Sequence, residues 1–229
     1  MAPTASPKPR PHFFVLLDRS GSMESMRADV IGGFNNLLAE QQADGDDARI
    51  TVVQFDSQDP QEVLVDGARL SKATPLSEAT YVPRGGTPLL DATGRIIARA
   101  TTREQKRRVQ GKRPEITTII TITDGEENQS TECTRQQIAA LVKDREAAGW
   151  SFVFLGAGID AYAEAGGIGV SAASTQAWAP SPAGARKAFA SVGGAMLERR
   201  RKIRADEAYA VEDFFEGNKE AEAHRAGGG

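Results

Sequence analysis

The sequence has 229 residues, which is enough for one α/β domain with short tails and a packed apolar core. Its charged fraction of 26% and formal net charge of −3 exclude a mostly disordered chain and provide no general attraction to nucleic acid or anionic lipid. No apolar run approaches the length of a bilayer span, so no membrane association is expected.

The two ends of the chain differ in composition from the middle. Residues 1–11 contain four prolines and lack the apolar stretch of a secretory signal, which predicts a flexible N-terminal tail. Residues 12–201 are the predicted domain, and residues 202–229 are a charged, partly disordered C-terminal tail. Within that tail, Phe214 and Phe215 stand out as rings that pack locally or dock a partner. Cys133 is the only cysteine, which excludes an intrachain disulfide and favours a cytoplasmic protein of bacterial type.

A polar loop follows the first predicted strand. Residues 12–17 form an apolar run typical of a strand buried on both faces, and residues 23–41 carry a helical apolar stripe. The stripe consists of Met26, Val30, Phe34 and Leu37. Between the two elements lie Asp18, Ser20 and Ser22, at the strand end where open α/β sheets bind ligands. Oxygen ligands held so close together suggest a hard cation such as Mg²⁺.

The next two strands, predicted at residues 49–56 and 62–67, are separated by a link too short for a helical crossover. They must therefore pair antiparallel, which makes the third strand a sheet edge.

Two later stretches bring further oxygen ligands towards the same edge of the sheet. Thr87 follows two glycines and precedes Pro88, which begins a helix that runs towards residue 102. A second buried strand, predicted at residues 115–123, ends at Asp124.

The rest of the domain alternates helices and strands. A Thr134–Gln137 capping box starts a helix that stops at Gly149. A strand at residues 150–156, a short helix at 160–167, an edge strand within 169–178 and a helix at 182–201 complete the predicted order.

Residues 103–113 are strongly basic. An anion or nucleic-acid site is one interpretation, and a solvated helix end and loop is the other. No aromatic side chains are interleaved with the cations, which argues against stacking on bases. We therefore expect the solvated helix end and no nucleic-acid partner.

The order Asp18, Ser20, Ser22, Thr87 and Asp124 resembles the metal-ion-dependent adhesion site (MIDAS) of von Willebrand factor A domains. The resemblance implies a three-layer, Rossmann-like α/β fold with a mostly parallel six-stranded sheet. It also implies the strand order 3-2-1-4-5-6, with the third strand antiparallel. By the same resemblance these five residues hold Mg²⁺, with Mn²⁺ or Ca²⁺ as alternatives, and a protein partner presents an Asp or Glu to the metal.

The predicted function is metal-dependent protein binding without catalysis. An accessory subunit of a chelatase-like AAA⁺ machine is the first alternative, although the chain has no P-loop of its own. A metal-dependent phosphohydrolase is the second. Its haloacid-dehalogenase form would need Asp-x-Asp, where this chain has Asp18-Arg19-Ser20.

Overall fold

A central sheet with helices on both faces organises the protein in a computed structural model that describes residues 8–157, 160–219 and 222. The strands are β1 (Arg10–Asp18), β2 (Arg49–Phe55), β3 (Glu62–Arg69), β4 (Glu115–Thr123), β5 (Ser151–Ala157) and β6 (Thr175–Trp178). The helices are α1 (Arg27–Ala43), α2 (Leu89–Val109), α3 (Arg135–Ala147), α4 (Ala161–Gly167) and α5 (Pro182–Ala205).

The strand order is β3-β2-β1-β4-β5-β6, and only the β2–β3 pair is antiparallel. This confirms the predicted fold class, strand order and antiparallel third strand. In the parallel register, Leu17 of β1 lies beside Ile122 of β4, and Asp18 lies beside Phe55 of β2. The carboxyl ends of these three strands therefore meet at one edge, where Asp18 and Asp124 emerge.

The side chains of β1 alternate between two apolar cores, one on each face of the sheet. Phe13, Val15 and Leu17 point to the face covered by α1 and α5. Phe14 and Leu16 point to the face covered by α2, α3 and α4. Because both faces are buried, β1 is apolar throughout its centre, which is why its sequence predicted a central strand.

Three helix boundaries differ from the sequence expectation. The segment after the polar loop begins as a 3₁₀ helix (Gly21–Met26) before α1. Helix α2 continues past residue 102 to Val109, because its last turns carry cations that suit a helix C-terminus. Helix α5 continues past residue 201 to Ala205. None of the helices in the described part of the chain has the length and apolarity that crossing a membrane requires.

Residues 206–219, here called the C-terminal strap, follow α5 along the sheet edge at β6. Phe214 and Phe215 are only 3% and 4% exposed and belong to the core shared with α1 and α5, so these rings pack locally. The Phe214 amide donates to Ser174 Oγ (3.0 Å), and Gln176 Nε2 donates to the Asn218 carbonyl (3.3 Å).

The predicted domain boundary at residue 201 falls inside α5, and the packed strap lies within the predicted tail of residues 202–229. Residues 1–7 of the predicted N-terminal tail lie outside the described residues, as do 220–221 and 223–229 of the C-terminal tail. The division of the chain into one domain and two tails stays a prediction.

Candidate metal centre

The carboxylate of Asp18 is fully buried beneath the loop that follows β1. Its Oδ1 accepts the Ser20 amide at 2.7 Å, and its Oδ2 accepts the Thr123 hydroxyl at 2.5 Å. The Tyr81 hydroxyl donates to the Asp18 carbonyl at 2.6 Å. Asp18 therefore fixes the start of the loop and joins it to the end of β4.

A line of oxygen atoms runs from this loop to the loop after β4. Ser20 Oγ and Ser22 Oγ are 3.0 Å apart and share a hydrogen bond, and Ser22 Oγ donates to Asp124 Oδ1 at 2.8 Å. Ser20 is buried, whereas Ser22 is exposed. The two serine hydroxyls and the Asp124 carboxylate are thus neighbours, in a line that leads from the buried Ser20 to the exposed Ser22.

Thr87 approaches the same place from the loop before α2. Its amide donates to Asn128 Oδ1 at 2.9 Å, which holds it against the loop after β4. A Cβ atom added to Gly125 would lie 2.8 Å from Thr87 Oγ1. The threonine hydroxyl therefore packs directly on the residue after Asp124, in space that only glycine leaves free.

Arg19, between Asp18 and Ser20, points away from these oxygens into a buried ionic cluster. Its Nε donates to Asp56 Oδ2 at 2.5 Å, and its guanidinium also pairs with Glu62. Arg84 Nε donates to the same Asp56 oxygen at 2.9 Å. The loop after β1 is therefore anchored to the loop after β2.

Backbone hydrogen bonds join the Asp18 loop to residues 84–86. The Arg84 amide donates to the Arg19 carbonyl at 2.8 Å, and the Gly21 amide donates to the Gly85 carbonyl at 3.0 Å. Gly85 has a φ of 66°, a left-handed conformation that favours glycine. This conformation accounts for the glycine at position 85, and a Cβ atom at Gly86 would lie 2.5 Å from Gln129 Cγ.

Both carboxyl groups of the candidate site have a raised affinity for protons. Burial raises the pKa of Asp18 from 3.8 to about 7, against the opposing hydrogen bonds from Thr123 and Ser20. Burial also raises the pKa of Asp124, against the hydrogen bond from Ser22. Two acids that are disfavoured as anions form an environment in which a nearby positive charge would be stabilising.

The oxygen atoms present here fit a hard divalent cation. Carboxylate and hydroxyl oxygens are the ligand types that Mg²⁺ and Mn²⁺ prefer. The described residues contain no group of three or more His, Cys, Asp or Glu side chains arranged to hold a metal. A metal in this loop cluster would therefore depend on the serine and threonine hydroxyls as well as on the two acids.

Comparison with known proteins gives the fold a name. No family model matches the sequence, and no curated protein matches it. A von Willebrand factor type A structure from Catenulispora acidiphila superposes with a TM-score of 0.52 at 18% identity, covering 85% of this chain and 43% of that one. This chain has the von Willebrand factor A fold.

Two further A-domain structures are described with a metal. Proximal thread matrix protein 1 from the mussel byssus, with a zinc-occupied MIDAS motif, matches with a TM-score of 0.57 at 15% identity, covering 85% of this chain and 47% of that one. Manganese-loaded Plasmodium vivax TRAP protein matches with a TM-score of 0.51 at 18% identity, covering 80% and 74%. The chain spans less than half the length of the Catenulispora and byssus structures.

All five sequence-predicted site residues lie in the three loops at this edge of the sheet, and sequence reasoning missed three of their supports. Thr123 at the end of β4, Asp56 directly after β2 and Tyr81 in the segment before α2 hold the Asp18 loop. Thr123 could have been inferred from its place at the end of β4, next to Asp124. Tyr81 and Asp56 lie in irregular segments, where no periodic pattern indicates which way a side chain points.

Proposed function

We propose that this A domain binds a divalent cation through Asp18, Ser20, Ser22, Thr87 and Asp124 and uses it to hold a carboxylate of a protein partner. The observation that supports the proposal is the chain of contacts from Asp18 through Ser20 and Ser22 to Asp124, beside which Thr87 packs on Gly125. Mg²⁺ is the proposed ion, and the zinc and manganese described for the two neighbouring structures support a divalent cation in general.

Each side chain has a separate part in this proposal. Both carboxylate oxygens of Asp18 accept hydrogen bonds from the protein, so Asp18 would order the loop and add negative charge beneath the cation. Ser20, Ser22 and Thr87 would offer neutral oxygens, and Asp124 the more accessible carboxylate.

The neutral hydroxyl groups determine the proposed partner chemistry. A divalent cation supplies a Lewis-acidic centre, and hydroxyl ligands leave more of its positive charge uncompensated than carboxylates would. An Asp or Glu side chain from another protein is then a favourable additional ligand. Such binding is recognition, and no covalent bond is broken.

Calorimetric titration with Mg²⁺ and Mn²⁺ tests the metal site. The wild type should bind one ion, and Asp124→Ala should bind at least about 100-fold more weakly, the scale on which losing one charged ligand changes a binding constant. Glu126→Ala is the matched control, because it removes an exposed acid two residues away on the same loop. Absence of divalent binding to the wild type at millimolar concentration would refute the proposal.

Binding of the partner carboxylate is tested with Mn²⁺ and two short peptides. One peptide contains Asp and Glu, and the other has Asn and Gln at the same positions. The relaxation rate of water protons in the presence of the protein–Mn²⁺ complex should fall when the acidic peptide is added, because a bound carboxylate displaces water from the ion. The amide peptide should leave relaxation unchanged. An equal effect of both peptides would mean that the partner is recognised without its carboxylate.

The other sequence interpretations stay as alternatives. No contact at the candidate site specifically favours a subunit of an AAA⁺ machine or a phosphohydrolase. His12, the histidine within the described residues, lies at the opposite end of β1 from Asp18. The expected cytoplasmic location also stays a prediction.

A further inference from the structure

A cavity of about 350 Å³ lies at the end of the sheet opposite the metal loops. The second half of α2, the turn at residues 110–114 and the amino ends of β1 and β4 surround it. Its lining includes Phe14, Ala100, Arg103, Arg107, Lys112 and Glu115. The volume lies in the range of small-molecule binding sites.

Three arginines converge on one carboxylate at this cavity, which we call the basic cavity. Arg10 Nη2 lies 2.8 Å from Glu115 Oε1, and Arg103 Nε lies 2.8 Å from Glu115 Oε2. Arg107 Nε lies 3.2 Å from Oε1 without making a hydrogen bond. Glu115 is mostly buried, which alone would raise its pKa, but the hydrogen bonds with His12, Arg103 and Arg10 hold that pKa well below the usual range.

The cations exceed the acids around the basic cavity. Arg103, Arg107, Arg108 and Lys112 line the cavity with two acids, Glu104 and Glu115, and Arg10 also pairs with Glu115. His12 adds no charge at neutral pH, because burial lowers its pKa to about 4. Burial lowers the pKa of Arg107, against the opposing charge of Glu115, and the charges of Arg10 and Arg103 lower it further.

The same cavity has an apolar side. Phe14, Ala100 and Pro114 line it, and the Phe14 ring stacks on His12 with centroids 4.0 Å apart. A bare inorganic anion would use the cations alone. An anion with a flat apolar body would use both parts of the lining.

We propose that the basic cavity binds a small organic anion, whose carboxylate or phosphate group meets the guanidinium groups and whose flat apolar body lies against Phe14, Ala100 and Pro114. This binding is independent of the metal centre, since the two places lie at opposite ends of β1 and β4. The cations in the last turns of α2 would then bind this anion in addition to stabilising the helix C-terminus.

The test is calorimetric titration of the full chain in chelator, so that the metal centre does not contribute. The probes are 2-naphthoate and 1-naphthyl phosphate, with 2-naphthalenemethanol as the uncharged body and inorganic phosphate as the bare head group. We expect at least one naphthyl anion to bind with a Kd of about 1 mM or below, which is reasonable for a ligand of this size. The alcohol and inorganic phosphate should bind at least about tenfold more weakly.

Two double variants locate the binding. Arg108→Ala with Lys112→Ala removes two exposed cations beside the cavity and leaves the Glu115 contacts in place. We expect it to weaken binding of the naphthyl anion at least about tenfold. Lys143→Ala with Lys187→Ala removes two exposed cations on α3 and α5 and should leave binding unchanged.

Any of four results would overturn the proposal: no binding of either naphthyl anion, equal binding of the alcohol, equal binding of inorganic phosphate, or equal losses in the two double variants. A preference between the carboxylate and the phosphate probe identifies the head group. Because the measurements are made without divalent metal, failure here leaves the proposed function untouched, and failure of the metal titration leaves this result standing.

Discussion

Arg19 anchors the Asp18 loop through its buried side chain. It lies between two proposed site residues, yet its side chain is only 3% exposed and pairs with the fully buried Asp56. Taking two charges out of water is costly, so the pair is favourable only while both members remain in place. The position of the serine hydroxyls therefore depends on an acid at the end of a different strand.

Replacing Asp56 with Asn should weaken divalent binding without removing any proposed ligand. The amide keeps the size of the side chain but leaves Arg19 without its buried counter-charge, and loss of one partner of such a pair costs about 3 kcal/mol. We expect the Mg²⁺ Kd to rise about tenfold and the unfolding midpoint in urea to fall. Asp59→Asn is the control, since Asp59 Oδ1 accepts only the Gln61 amide in the same turn. An unchanged Kd would show that the loop keeps its shape without the pair.

His12 should make stability depend on pH between about 6.5 and 4. The imidazole is completely buried, with its ring nitrogens 3.0 Å from Glu115 Oε2 and 2.9 Å from Thr51 Oγ1. Burial lowers its folded-state pKa from 6.5 to about 4, so the unfolded state takes up a proton first as the pH falls. The stability contributed by the neutral ring is fully present above pH 6.5 and decreases as the pH falls towards 4. The loss should be about 3 kcal/mol by pH 4.

Urea unfolding at several pH values measures this dependence. In His12→Phe the protein should be less stable at pH 7, because Glu115 and Thr51 lose a hydrogen-bond partner. Its stability should nevertheless vary less between pH 6.5 and about 5.5, a window above the range in which Glu115 takes up a proton in the unfolded state. Parallel pH profiles for the wild type and the variant would contradict the assignment to His12.

At the scale of secondary-structure elements, α5 and the C-terminal strap are held together by one buried cation. The Arg199 guanidinium lies 4.2 Å from the Tyr209 ring centroid and 5.1 Å from the Phe214 ring centroid. It also donates to Ser151 Oγ at 3.1 Å and to the Ala210 carbonyl at 2.8 Å. Arg199 thus joins α5, β5 and the strap, and it forms no ion pair with a carboxylate among the described residues.

Phe214→Ala should destabilise the protein by about 3 kcal/mol, the usual scale for removing a buried phenylalanine. The matched change Tyr209→Ala removes a partly exposed ring from the other side of Arg199 and should cost no more than about 1 kcal/mol. Denaturant unfolding monitored by circular dichroism compares the two. Losses of equal size would mean that Phe214 contributes only its contact with Arg199.

The sequence predicted elements whose signal is local, and it failed where the deciding partner is distant. The apolar run of β1 and the Thr134 capping box depend on residues close together in the sequence, and both are present as expected. The final two turns of α2 are stabilised in part by Glu115, which belongs to another element. The burial of Phe214 depends likewise on α5 and on Ser174, far back in the chain.

The candidate site was easier to predict than its supports, for the same reason. The five site residues follow strand ends or precede a helix, and the resemblance to A domains fixed their order. Their arrangement also needs Asp56 and Tyr81, whose side chains reach the Asp18 loop from irregular segments. Single-sequence patterns do not indicate such directions, because no period relates an irregular segment to the face it contacts.

At the scale of the whole molecule, the strap covers the short edge strand β6. Gln176 Nε2 and Ser174 Oγ hold the strap, and beyond it Glu222 Oε1 accepts the Ala177 amide at 3.0 Å. At the opposite edge, β3 carries charged side chains at Glu62, Asp66 and Arg69. The strap thus covers the β6 edge, and charged side chains lie along the β3 edge. Both features hinder pairing of a sheet edge with a second molecule.

The covering of β6 has a consequence for the protein in concentrated solution. A chain ending at Ala205 would keep every residue of the sheet and the metal loops, but it would uncover the apolar surface beneath Phe214 and Phe215 beside an open strand. We expect that chain to form dimers and larger aggregates at concentrations where the full chain is monodisperse by light scattering. Aggregation should become faster with protein concentration and slower in dilute urea, and Mg²⁺ should leave it unchanged. The strap would then act as a built-in solubility element, protecting the sheet edge from self-assembly.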